Sequence, residues 1–159
     1  MSLLPKFLHL ANSTSIWTVI LTAVPVSALT TFLIQELWAT KIRNSAKQLQ
    51  KNYEICDNFF NYIEKCQSLG NAFWSFPRKS IAAETIPDLL FVQSQAENKF
   101  HIIEEIGFSG RSRVIDLFEN LTGGDFDEEN RPARPEISSN IAVICAEICY
   151  EIDKFKNSL

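Results

Sequence analysis

The sequence predicts an all-α protein, in which an N-terminal transmembrane helix continues into a cytoplasmic helical bundle. Three observations lead to this fold class: a long uncharged stretch near the N-terminus, apolar residues at helical spacing in the rest of the chain, and no segment that alternates as strands do. With 159 residues, 46% of them hydrophobic, the chain can form one domain with a substantial core. The net charge of −4 excludes the general basic field of a nucleic-acid-binding protein.

The transmembrane segment is predicted from the charge-free stretch between Leu10 and Gln35. Its most apolar part, residues 16–34, spans about 28 Å as an α-helix, which matches the hydrocarbon core of a bilayer. Trp17 and Trp38 lie near the two ends of this part, where indole rings favour the membrane interface.

A cleavable signal peptide is the competing interpretation, since residues 26–28 loosely resemble a small-residue cleavage site. The apolar run continues past that site, which favours an uncleaved anchor. We therefore expect residues 1–15 to form a short extracytoplasmic N-terminus and residues 16–38 to form the transmembrane helix. A buried helix of a soluble core is the other alternative.

The orientation follows from the basic residues that flank the span. Lys41, Arg43, Lys47 and Lys51 lie on its C-terminal side, whereas Lys6 alone lies on its N-terminal side. The positive-inside rule therefore predicts a single-pass protein of the inner (cell) membrane, with its N-terminus outside and residues 39–159 in the cytoplasm.

A face of small residues within the span favours association between copies. Ala23, Ser27 and Thr31 recur every four residues, and such a face lets membrane helices approach closely. Two alternatives remain open: the hydroxyls bond only their own helix backbone, or they line a polar path through the membrane.

The cytoplasmic part is predicted to be a helical bundle at residues 39–159. Apolar residues at spacings of four and three follow the span, which is typical of a coiled-coil stalk or of an ordinary amphipathic bundle helix. We expect this stalk helix at residues 39–69, with Gly70 as its stop. Three more helices are predicted near residues 86–106, 110–121 and 138–157. Gly107 is the expected stop of the first, Ser109 or Ser112 the expected cap of the second, and Ser138 or Ser139 the expected start of the third.

The turn before the predicted helix at 110–121 is the candidate ligand site. Ser109 and Gly110 precede the helix N-terminus, whose backbone N–H groups and dipole favour an anion. Arg111 and Arg113 would add charge and bidentate hydrogen bonds to a phosphate. The simpler interpretation is a capped turn with solvated arginines.

No enzyme or metal motif emerges from the sequence, and we expect neither a cofactor nor a metal. Cys145 and Cys149 lie one turn apart among isoleucines, as buried small hydrophobic residues do. The cysteines are expected to be reduced in the cytoplasm. An unrecognised helical active site remains an alternative, with His101 as the residue to test.

A single N-terminal span, a stalk and a small all-α cytoplasmic bundle resemble the small single-pass membrane effectors of bacterial anti-phage systems, including CRISPR-associated and retron-associated ones. The resemblance is one of architecture over the whole chain, with no motif matched residue by residue. It implies a non-catalytic homo-oligomer that perturbs or permeabilises membrane lipid when its bundle senses a nucleotide, RNA or protein signal. The alternative is a membrane-anchored scaffold or adaptor that binds a protein partner.

Overall fold

The computed structural model describes the backbone of residues 4–159 and the side chains of residues 28–159. In this part of the chain the fold is all-α, as the sequence predicts, and contains no strand. The helices are α1 (Leu4–Trp74), α2 (Thr85–Glu105), α3 (Arg111–Thr122) and α4 (Pro135–Lys156), with a short 3₁₀ turn at Arg78–Ser80 between α1 and α2.

The chain divides into two compact units, Met1–Gln48 and Leu49–Leu159. The second unit contains the hydrophobic core, to which all four helices contribute. The predicted helical bundle is therefore confirmed for this unit. The fully buried aliphatic and aromatic residues at its centre include Phe59, Ile63, Trp74, Leu89, Ile103, Leu117, Leu121, Ile141, Ile148 and Ile152.

Helix α4 illustrates why these segments are helical. Pro135 occupies its first turn, where the missing N–H group is tolerated and the fixed φ angle favours a helix. Glu136 in the first turn and Lys156 in the last turn complement the helix dipole. Its buried residues recur at spacings of four and three, so one face packs into the core: Ile141, Cys145, Ile148 and Ile152.

The C-terminal end of α1 differs from the sequence prediction. The helix passes through Gly70 and ends at Trp74. A Cβ atom at position 70 would lie 2.6 Å from Leu121 Cδ2 and 3.1 Å from Ile141 Cδ1. The glycine is therefore explained by the close approach of α3 and α4 to α1, and the prediction that it stops the helix is wrong.

The helix starts also differ from the serine caps expected from sequence. Gly110 occupies the N-cap of α3, and Arg134 occupies the N-cap of α4, without a side-chain hydrogen bond in either case. Gly107 ends α2 as predicted, with a φ angle of 107° that glycine adopts readily.

The predicted membrane span falls partly outside the described side chains. Residues 16–27 are not described at this level, so Ala23 and Ser27 of the small-residue face lie outside the described residues, whereas Thr31 is exposed. Within the described part of the chain, no helix has a stretch long and apolar enough to cross a membrane.

Candidate functional site

The turn between α2 and α3 is fixed by backbone hydrogen bonds to the last turn of α2. The Gly107 N–H group donates to the Glu104 carbonyl at 2.9 Å, and the Phe108 N–H group donates to the Ile103 carbonyl at 3.2 Å. The Phe108 ring is buried against Phe59 and Phe155. This anchoring places Ser109 and Gly110 at the start of α3, as the sequence predicts.

Arg111 forms a bidentate ion pair with Glu104 on α2. Its Nε atom donates to Glu104 Oε1 at 2.7 Å, and an Nη atom donates to Glu104 Oε2 at 2.6 Å. This hydrogen-bonded pair raises the pKa of the arginine. The guanidinium group that was expected to meet a phosphate therefore already holds a carboxylate in the same planar geometry.

Arg113 also pairs with a carboxylate, in this case from α4. Its Nε atom lies 3.0 Å from Glu147 Oε2, and an Nη atom lies 3.9 Å from Asp116 Oδ2. The two arginines thus face different helices, and each one links α3 to a neighbour. Both pairs are partly open to solvent, so each is expected to contribute little to stability.

The carboxylate of Glu151, from α4, also lies beside the N-terminus of α3. A Cβ atom at Gly110 would lie 3.0 Å from Glu151 Oε2 and 2.5 Å from the Phe108 ring, so there is no room for a side chain at this position. Negative charge at a helix N-terminus is stabilised by the exposed N–H groups and the dipole. Glu151 therefore supplies from within the chain the kind of charge that an anionic ligand would bring.

A surface pocket of about 320 Å³ adjoins this turn. Ser109 lines it, together with Glu151 and Lys154 from α4, which carry charges of opposite sign. The pocket is completed by Phe108, Phe155 and Ser158. Of the predicted site residues, Ser109 lines this pocket, whereas Arg111 and Arg113 are paired with carboxylates of α2 and α4.

The three compensating carboxylates were missed by the sequence analysis. Two other helices supply these carboxylates. Glu104 lies on α2, whereas Glu147 and Glu151 lie on α4. The spacing of Glu147 and Glu151, four residues apart on α4, places them on one face. The sequence shows this spacing, but it does not show which helix this face of α4 contacts.

A buried arginine is the other polar group that the sequence did not reveal. Arg131, in the connection between α3 and α4, is 1% exposed. Its Nη atoms donate to the carbonyl oxygens of Phe73 at 3.0 Å and Pro132 at 3.1 Å. Arg131 thus bonds a carbonyl group in the last turn of α1, where the helix has no N–H group of its own to offer.

The thiols of Cys56, Cys66 and Cys145 are buried in the core, that of Cys149 is partly buried, and none of the four is joined in a disulfide. Burial raises the pKa of Cys66 and of Cys145 to about 12, and that of Cys149 to about 11. Because the thiolate is the nucleophile, these protonated thiols are poor candidates for covalent chemistry at neutral pH. Cys145 instead directs its thiol toward the Ile63 carbonyl at 3.8 Å.

His101 lies on the surface of α2, and its Nδ1 atom is 3.9 Å from Glu104 Oε2. Within residues 28–159, no group of three or more histidine, cysteine, aspartate or glutamate side chains is placed to hold a metal ion. His101 and Arg111 both lie beside the carboxylate of Glu104.

The first unit carries a second candidate site, an exposed apolar surface on α1 that we call the apolar band. Successive residues of an α-helix are turned by about 100°, so the side chains of Phe32, Leu33, Ile34 and Ile42 point in directions roughly a quarter-turn apart. These four are 59%, 54%, 55% and 64% exposed. The whole band comprises Leu29, Phe32, Leu33, Ile34, Leu37, Trp38 and Ile42.

The fold and these two sites define an all-α helical-bundle protein with an exposed apolar helical segment. Comparison with known protein families, with characterised proteins and with solved structures gives no match.

Proposed function

We propose that the protein is a single-pass membrane protein that acts as a non-catalytic, oligomeric effector and perturbs the inner membrane in anti-phage defence. The observation that carries the membrane assignment is the apolar band of α1. It forms the C-terminal continuation of the charge-free stretch that begins at Leu10.

The distribution of the band around the helix favours lipid as its environment. A helix that packs in a groove or a coiled coil covers one stripe of its surface and leaves the opposite face polar. The band instead presents large apolar side chains in all directions. Only a surrounding environment covers such a surface, and a bilayer is the simplest one.

Assembly is required for any effect on permeability, because one helix cannot enclose a path. The proposed contact face is the small-residue face at Ala23, Ser27 and Thr31, where close approach would bring hydroxyl groups together.

The cytoplasmic bundle is the proposed sensor of the signal. If the signal is a nucleotide or RNA, its phosphates must replace Glu104 at Arg111 or Glu147 at Arg113. A ligand changes the assembly only by the difference between its affinities for the two states. Breaking these ion pairs would loosen α3 from α2 and α4. The ligand would therefore bind the loosened state more tightly than the paired state.

Carbonate extraction of membranes from expressing cells tests the membrane assignment. An integral protein stays in the pellet, and protease added outside intact spheroplasts leaves the C-terminal bundle uncut. Release of the protein into the carbonate supernatant would contradict the proposal. Replacement of the apolar side chains Phe32, Leu33 and Ile34 by serine should release part of the protein, whereas serine at the exposed bundle residues Phe76, Val143 and Tyr150 should not.

A membrane-anchored adaptor is the second candidate function, and a groove in the second unit favours it. Leu69 of α1 and Phe91 of α2 line a cavity of about 340 Å³ between Lys65 and Asp88. Such a groove suits a partner segment with one apolar side chain flanked by charges of both signs.

Exchange of residues 1–40 for an unrelated membrane anchor separates the two functions. An adaptor keeps its activity with any anchor, because only the bundle meets the partner. An effector loses its activity, because the span itself acts on the membrane.

A further inference from the structure

Three cations lie on two sides of α1 at the C-terminal end of the apolar band. Lys41, Arg43 and Lys47 are all exposed and belong to the same unit as the band. On an α-helix Arg43 is turned by about 200° from Lys41, and Lys47 by about 240°. The three side chains therefore point to both sides of the helix, and we call them the basic collar.

The collar carries an excess of positive charge. The one ion pair in this segment joins an Arg43 Nη atom to Glu36 Oε2 at 3.7 Å, and both side chains remain largely exposed. Among the described residues, neither Lys41 nor Lys47 lies within ion-pair distance of a carboxylate. An external anion can therefore reach these groups without displacing an internal partner, in contrast to Arg111 and Arg113.

The height of the collar matches one layer of lipid headgroups. From position 41 to position 47 the helix rises by about 9 Å. The headgroup region on each side of a bilayer is roughly 5–8 Å thick, and lysine and arginine side chains are long enough to bridge the difference. Trp38, three residues before Lys41, would then lie at the depth where indole rings favour the interface.

We infer that the basic collar binds anionic phospholipid headgroups, which surround α1 where it leaves the membrane. This inference rests on the proposed membrane function and adds the class of lipid that the protein selects. The geometry disfavours a single free phosphate as the ligand of the whole collar, because Lys41 lies on the opposite side of the helix from Arg43 and Lys47 and the three cations cannot converge on one anion. It also disfavours a nucleic acid strand, which would follow one face.

Energy transfer from tryptophan to pyrene-labelled lipid tests the inference on the full chain. The protein is reconstituted in phosphatidylcholine vesicles that contain equal amounts of phosphatidylglycerol, with the pyrene on one lipid or the other. We expect more transfer to labelled phosphatidylglycerol than to labelled phosphatidylcholine, because Trp38 lies three residues from the collar. The excess should fall as salt is added, since headgroup attraction is screened.

Two variants with the same loss of charge provide the comparison. Lys41→Gln with Arg43→Gln and Lys47→Gln should abolish the excess transfer to phosphatidylglycerol. Lys65→Gln with Lys79→Gln and Lys154→Gln, all exposed in the other unit, should keep it.

Equal transfer to both lipids in the wild-type protein would overturn the inference. So would an unchanged excess in the collar variant, or an equal loss in both variants. Suppression of the excess by inorganic phosphate or by a short RNA, beyond that produced by sodium chloride at equal ionic strength, would assign the collar to those ligands instead.

Carbonate extraction of the same vesicles separates this inference from the membrane proposal. If the protein resists extraction but shows no lipid preference, the result contradicts lipid binding by the basic collar and leaves the membrane span in place. Protein that is extracted contradicts the membrane span itself.

Discussion

The guanidinium carbon of Arg131 lies 4.3 Å from the centre of the Trp74 ring. The same carbon is 4.4 Å from the centre of the Phe73 ring, so the cation is held against two aromatic side chains at the end of α1. Backbone bonds accompany the stacking: the Arg134 N–H group donates to the Trp74 carbonyl at 2.7 Å, and the Arg78 N–H group donates to the Arg131 carbonyl at 3.0 Å. Arg131 therefore fixes the connection between α3 and α4 to the end of α1.

Replacement of Arg131 by methionine should destabilise the bundle by roughly 2–4 kcal/mol, because it removes a desolvated cation–π contact and leaves the Phe73 carbonyl without its partner. Lysine should restore only part of the loss, since an ammonium group lacks the planar fork that stacks and bonds at once. The measurement is thermal unfolding of the full chain in mild detergent, followed by near-ultraviolet circular dichroism.

Lys79→Met is the matched control for Arg131→Met, because Lys79 is an exposed cation in the segment between α1 and α2. Its melting temperature should stay close to that of the wild-type protein. Equal melting temperatures for both variants would show that the stacked arginine is not important for stability.

Gly70→Ala should destabilise the bundle by about 1–2 kcal/mol, although alanine is normally favoured over glycine within a helix. The added Cβ atom would lie 2.6 Å from Leu121 Cδ2 in a fully packed core. The measurement is a double-mutant cycle with Leu121→Val, which shortens the side chain that the new atom meets. Gly70→Ala should cost less in the Leu121→Val background, and strictly additive changes in unfolding free energy would contradict the close-approach explanation.

The helices could be predicted from sequence largely because their causes are local. Apolar residues at helical spacing marked α2, α3 and α4, and Gly107 marked the end of α2 because its positive φ angle is a property of the turn itself. The prediction at Gly70 was wrong because glycine is required there by tertiary packing and not by a turn. The side chains of Leu121 and Ile141 leave little room for a Cβ atom at this position.

The position of the turn before α3 could be predicted from sequence, but the carboxylates that pair with its arginines could not. Ser109, Gly110, Arg111 and Arg113 lie together because they follow one another in a turn. Their partners come from other helix faces, and no local spacing shows which face meets the turn. The stacking of Arg131 on Trp74 could not be predicted for the same reason, because it depends on how the connection between α3 and α4 packs against the end of α1.

The buried thiols should make the bundle less stable at alkaline pH. The pKa of Cys66 is raised from an ordinary value of 9.0 to about 12, so the unfolded chain releases this proton at lower pH than the folded one. The stabilising contribution is complete below about pH 9 and is lost as pH rises toward about 12, by roughly 1.4 kcal/mol per pH unit for each such thiol.

Comparison of unfolding free energies across this pH range, in the presence of a reductant, tests the effect. The slope should be smaller in Cys66→Ala than in the wild-type protein, whereas the cost of the cavity should not change with pH. Parallel slopes for the two proteins would show that the thiol does not contribute.

Glu104→Gln with Glu147→Gln should strengthen the binding of a short, fluorescently labelled RNA by roughly tenfold if the turn senses a polyanion, because both arginines lose their internal carboxylates. Glu97→Gln with Glu129→Gln changes the net charge equally at exposed positions and should have little effect. Fluorescence anisotropy of the full chain in detergent measures both. Equal strengthening by the two variants would indicate a general charge effect and no site at the turn.

The most direct test of the central proposal is the membrane potential of cells after induced expression of the protein with its native neighbouring genes, read with a potential-sensitive dye. The key variant carries leucine at Ala23, Ser27 and Thr31, and the control carries leucine at Val24, Ala28 and Phe32, one position further along the same helix. We predict that the wild-type and control proteins depolarise the membrane and that the small-residue variant does not. Depolarisation by the small-residue variant, or a potential left unchanged by the wild-type protein, would contradict an oligomeric membrane effector.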